Sequence, residues 1–211
     1  MTMIKTNESG RSMIEMLGVL AIIGVLSVGG IAGYSKAMNK FKTNKVADNV
    51  SMLVANIKTL YAQQNSYEGL DVDSAISMGV VPDELVSARP NDSGTGGALT
   101  NAYNGSVYIS AAPSGAGDNA AFYIVFDGLS KEACISLATN DWGSSYSSGL
   151  IGMQATAEEH GNADVEAIVM GCDGGDGIAC AGKSMPMDVG DAATACACNA
   201  GNTCSIFWKY Y

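Results

Sequence analysis

Apolar and polar positions divide the chain into an unbroken apolar segment, an amphipathic segment and a polar, turn-rich remainder. From Met16 to Tyr34 no charged side chain occurs, and nearly every residue is apolar or small. As a helix, residues 13–33 would extend about 31 Å, enough to cross a bilayer. Beyond them Phe41, Val46, Val50, Leu53, Val54, Ile57, Leu60 and Tyr61 recur at three- and four-residue steps, with Lys42, Lys45, Asn49, Asn56 and Lys58 between them. That is the stripe of a helix with one buried face. No proline precedes Pro82, so the pattern predicts a single helix from residue 13 to about 64. Gly24, Gly29, Gly30 and Gly33 lie inside it, either for close helix packing or to let the segment bend.

After Gln64 the texture changes to Gly, Asn, Asp and Ser, with a short helix near 72–79. Runs of strand type follow at Ser106–Ala111, Ala121–Asp127, Asp164–Gly171 and Ser205–Tyr210, and Glu132–Thr139 has the length of a short helix. Turn-forming stretches such as PSGAGDN and CDGGDG separate them. The predicted fold is α+β: a long N-terminal helix, hydrophobic in its first half and amphipathic in its second, packed on an antiparallel β-sheet head with disulfides. The expected divisions are a leader at 1–10, a transmembrane helix at 11–35, its amphipathic continuation at 36–64 and a globular head at 65–211.

Charge sharpens that division. The chain carries a net charge of −10, which argues against nucleic acid as a partner. Between Lys36 and Lys58 five lysines face one acid, Asp48; between Glu68 and Asp191 eighteen acids face Arg89, Lys131 and Lys183. A basic stem thus carries an acidic head, either as two solvated faces or as complementary surfaces on neighbouring molecules.

All six cysteines, Cys134, Cys172, Cys180, Cys196, Cys198 and Cys204, lie in the head. An even set following a membrane-type segment predicts disulfides formed outside the cytoplasm. Spacing alone leaves fifteen pairings open. No CxxC pair occurs, and the lone His160 supplies no zinc pattern. Catalytic fingerprints are missing as well, so no enzyme is expected; Glu158–Glu159–His160 reads as a solvated loop. No cofactor is expected. Asp173 and Asp176 in the CDGGDG run offer oxygens to calcium, but the run lacks EF-hand spacing and reads first as an acidic turn.

One residue breaks the apolar pattern. Glu15 sits at the mouth of the greasy run, where a lone carboxylate is unfavourable without a partner. Gly10, four residues, Glu15 and some twenty apolar residues leading into a long amphipathic helix resemble the type IV pilins and their pseudopilin relatives. The match is specific over residues 10–35 and holds in architecture to about residue 64. The late cysteines and β-rich C-terminal region resemble the type IVb pilins more loosely.

The resemblance implies a structural subunit of a type IV pilus. It implies cleavage after Gly10 by a prepilin peptidase, leaving Arg11 as the new N-terminus with an amine that the family methylates. Arg11 departs from the apolar residue usual there. It also implies an inner-membrane precursor handled by a pilus assembly machinery, and an extracellular homopolymer. In that family the glutamate matching Glu15 meets the N-terminal amine of a neighbouring subunit. A mid-head cysteine is bridged to one near the C-terminus, which suggests Cys134 with Cys196 or Cys198, then Cys172 with Cys180, and Cys204 with the remaining one. A minor pilin or secretion-system pseudopilin shares this architecture. An exported binding protein with an ordinary signal peptide over 1–29 is the reading from a different class. Lysines 36–45 would also place the opposite helix end in the cytoplasm by the positive-inside tendency, against the orientation that the cysteines require.

Overall fold

The computed structural model describes residues 13–90, 97–143, 146–157, 178–180, 185–198 and 204–211. The first element, helix α1, runs unbroken from Met13 to Leu60 over 48 residues. Its two parts belong to different compact units, one ending at Phe41 and the other beginning at Lys42. In the first unit the helix is continuous through its glycines, and a Cβ added at Gly18, Gly24, Gly29, Gly30 or Gly33 would meet nothing within 4 Å. The glycines therefore do not interrupt the helix, and they pack against nothing among the described residues. Among the described residues this is the one helix long and apolar enough to cross a membrane.

In the second unit most of the predicted α1 stripe turns inward, but Leu60 stays exposed and Val54 only half-buried, and Phe41, the last residue of the first unit, is exposed as well. Val46, Val50, Leu53 and Ile57 are fully buried in the main core. A short helix α2, Val72–Ser77, follows, started by a capping box in which Asp71 accepts from the Ser74 N–H and Ser74 reciprocates. After a 3-10 turn at Asp83–Leu85 come strands β1 (Val86–Pro90), β2 (Gly97–Thr100), β3 (Ser106–Ser114) and β4 (Gly117–Leu129). Helix α3 (Lys131–Ala138), β5 (Leu150–Thr156), β6 (Ile178–Cys180), α4 (Val189–Ala195) and β7 (Cys204–Tyr210) complete the described elements.

The strands form one sheet in the order β1-β2-β3-β4-β7-β5-β6, with every pairing antiparallel. The C-terminal strand therefore sits inside the sheet, between β4 and β5. Its even residues Cys204, Ile206, Trp208 and Tyr210 enter the main core beside the helix stripe. Phe207, on the opposite face, packs with Val125, Tyr108 and Tyr123 in a second small cluster.

Three of the five stem lysines find partners inside this unit. Lys45 pairs with Glu84 at 2.9 Å, Lys42 lies over the Tyr103 ring, and Lys58 donates to the Ser148 carbonyl at 2.9 Å while lying over the Tyr210 ring. Gly149 makes room for that contact: its φ is +73°, and a Cβ there would strike the Lys58 ammonium. Lys36 and Lys40 stay exposed, with no carboxylate within 4 Å among the described residues.

The expected strand at Asp164–Gly171 lies outside the described residues, as do Gly10, Arg11, Cys172, Asp173, Asp176, Glu158 and His160.

Candidate functional site

Helix α1 is the candidate site, and its two parts differ in what surrounds them. In the first unit Glu15 stands in the first turn of α1, where the positive end of the helix dipole favours a carboxylate. It is exposed, and no cation lies within salt-bridge distance of it among the described residues. Around and above it Leu17, Leu20, Ile23, Val25, Leu26 and Val28 are each more than half exposed, Val25 at 75%. An uninterrupted apolar surface of this size is not left to water in a soluble monomer; it marks contact with lipid or with other helices.

The second part of the helix is secured to the head instead. Thr43 and Tyr103 share a buried hydrogen bond of 2.9 Å between hydroxyls, and Asn56 donates to the Val80 carbonyl at 2.8 Å. Asn49 is the exception. It is 1% exposed, yet neither its Nδ2 nor its Oδ1 has a hydrogen-bond partner among the described residues. A buried amide left unpaired is destabilising. Asn49→Leu is therefore expected to raise unfolding stability by about 1–2 kcal/mol, read from urea melts followed by Trp fluorescence. Equal or lower stability in that variant would mean the site satisfies the amide.

The far end of the head is cross-linked. Cys134 in α3 is bonded to Cys196 at the C-terminal cap of α4, and Cys198 to Cys204 at the start of β7. These are the pairings that the pilin resemblance suggested. Cys180 is disulfide-bonded too.

Two residues of β7 carry titration behaviour that the sequence pattern did not flag. Lys209 is fully buried, faces Tyr123 on β4 and Gly152 on β5, and its Nζ has no hydrogen-bond partner. Gly152, opposite it on β5, carries no side chain to pair with it, and no partner for the amine lies among the described residues. Desolvation pulls the Lys209 amine down from 10.5 to about 8, whereas burial raises the phenol of Tyr210.

The sign follows from proton counts. Between about pH 8 and 10.5 the unfolded chain holds a proton that native Lys209 has released, so stability rises with pH across that window. Above pH 10 the unfolded chain loses the proton that native Tyr210 keeps, so stability then falls. Lys209→Met is expected to gain about 1–3 kcal/mol at neutral pH and to flatten the rise above pH 8. An unchanged pH slope in urea melts from pH 7.5 to 9.5 would place the response on another group.

With this geometry in place, similarity to other proteins becomes informative. Residues 40–209 match the family described as PilS N terminal. The chain is also 31% identical over 143 residues to the major structural subunit of bundle-forming pilus of Escherichia coli, covering 67% of this chain and 69% of that protein. The chain belongs to the PilS family of type IV pilins. The toxin coregulated pilin of Vibrio cholerae is 28% identical over 64% of this pilin and 59% of that protein. A type IV b pilin crystal structure from Salmonella typhi overlays 77% of this chain and 95% of that one at 19% identity, with a TM-score of 0.49. The two curated relatives are pilus subunits by name. A pilus subunit's place is the cell surface, and its partner is a second copy of itself.

Proposed function

We propose that this pilin is the major structural subunit of a surface filament, built by lateral packing of the exposed apolar part of α1 from many copies. The carrying observation is the pairing of a bare apolar helix surface with a charge that has no partner among the described residues: Leu17 to Val28 exposed, and Glu15 unpaired in the first turn. In this reading a prepilin peptidase cuts after Gly10 and frees the amine of Arg11. The subunit waits in the inner membrane by its apolar helix, and an inner-membrane machinery lifts it into the growing polymer. There the Arg11 amine of one copy meets Glu15 of its neighbour. Such a pair contributes little net stability but penalises wrong stagger, because a shifted neighbour leaves two charges buried and unpaired.

The test is to shear the cell surface, image the released material by electron microscopy and identify its main component by mass spectrometry. Filaments composed chiefly of this chain support the major-subunit reading. Filaments containing it at trace level assign it instead as a minor pilin, and its retention in the membrane fraction assigns it as a pseudopilin.

A further inference from the structure

Two disulfides converge where α3, α4 and β7 meet. The Sγ atoms of Cys134, Cys196 and Cys204 all lie within 4.8 Å of one another, although Cys204 is bonded to Cys198 and not to either of the other two. The sulfurs of Cys198 and Cys204 also lie 3.7 Å and 3.6 Å from the Cys196 carbonyl oxygen. Cys134, Cys196 and Cys204 are fully buried, and Cys198 is half-buried. With three sulfurs this close, the packing that seats β7 does not by itself select one pairing among them.

We propose that Cys204 is an exchangeable sulfur, and that the pairing at this end of the head is sorted by intramolecular thiol–disulfide exchange. In an intermediate with one bridge and two thiols among these four cysteines, the Cys198 thiolate attacks Cys204 of a mispaired Cys134–Cys204 bond. The Cys198–Cys204 bond forms as the Cys134–Cys204 bond breaks, and the electron pair leaves on Cys134 as thiolate. No net oxidation occurs in that step. Closing Cys134 with Cys196 then removes two electrons and two protons, delivered to a disulfide-bearing oxidant outside the cytoplasm. Cys198, the most accessible of the four, is the attacking residue; Cys204 is the sulfur passed between partners.

The experiment uses the full chain in detergent. Cys198→Ser leaves Cys134, Cys196 and Cys204 with one bond and one thiol between them. After oxidative refolding near pH 8, acid quench, alkylation under denaturing conditions and fragmentation mass spectrometry, the labelled thiol is expected on Cys134 or Cys196 in more than about one molecule in ten. Label on Cys204 alone overturns the proposal. Should that variant not fold, the wild-type protein is treated briefly with dithiothreitol under native conditions and trapped. Direct reduction labels Cys198 with Cys204, or Cys134 with Cys196. Exchange adds doubly labelled molecules carrying Cys198 with Cys134 or with Cys196. Their absence overturns the proposal equally.

Discussion

Glu15→Ala is expected to reduce filament yield at least tenfold while leaving the head folded and the cleavage after Gly10 intact. The head should be indifferent because its core draws on α1 only from Val46 onward. Cleavage should be indifferent because the proposed cut follows Gly10 at the polar-to-apolar boundary, five residues before Glu15. Assembly is different: without the carboxylate, each incoming copy brings an ammonium into an apolar bundle with nothing opposite, at a cost of several kcal/mol. Each 1.4 kcal/mol is a factor of about ten in an association constant, so even a fraction of that penalty halts growth. Glu15→Gln should be nearly as damaging, since the amide keeps the shape and loses the charge. Processed subunit should accumulate in the membrane in both variants. Normal yield with either substitution would make Glu15 a headgroup anchor and remove the stagger argument.

The second large effect is on head stability. The Cys134–Cys196 bridge closes a separation of 62 residues and Cys198–Cys204 one of six. In the chain-entropy description the first contributes about 4 kcal/mol and the second about 2 kcal/mol, because a longer loop restricts the unfolded chain more. Against a total of about 5–15 kcal/mol for a domain, losing the longer bridge is serious. Paired alanine substitutions are the proper test, since each leaves no stray thiol at the shared cluster. Cys134→Ala with Cys196→Ala should lower the unfolding free energy roughly twice as much as Cys198→Ala with Cys204→Ala. Trp142 and Trp208, with ring centres 5.0 Å apart beside this region, provide the fluorescence signal. Equal losses would shift the explanation from loop entropy to local packing.

Much of the architecture was legible in the residue pattern, and the omissions have physical causes. The stem helix was readable because nearly fifty residues keep one continuous apolar record with no proline. The short helices at 72–77 and 131–138 announce themselves through the caps Asp71 and Ser130. Strands β3, β4 and β7 were found, each shorter than its full extent, because their runs are rich in Tyr, Ile, Val and Phe. Strand β5 escaped because Gly152 interrupts its run of larger side chains. Strands β1, β2 and β6 are brief, and the first carries Arg89 and Pro90, residues typical of sheet edges. Helix α4 reads as a loop because of its small residues and its length of seven.

The insertion of β7 between β4 and β5 is a matter of topology that no local pattern encodes. Neither the unpaired Asn49 nor the buried Lys209 could be foreseen: one sits on a helix among core positions, and the other occupies what alternation marks as an outward-facing site on β7.

The glycines of the stem show the opposite case, in which a residue pattern admits two uses. The helix runs through these positions without a break, and the open space around each Gly position leaves the small residues available to neighbouring copies. That agrees with a helix whose partners are other subunits.

A pilin and an exported soluble protein differ in where the mature chain begins and where it is found. N-terminal sequencing and intact-mass measurement of the subunit in sheared surface filaments should give a first residue of Arg11 and a mass with the three expected disulfides closed. A chain beginning near Gly30, recovered as a soluble exported protein with no filaments, would contradict it.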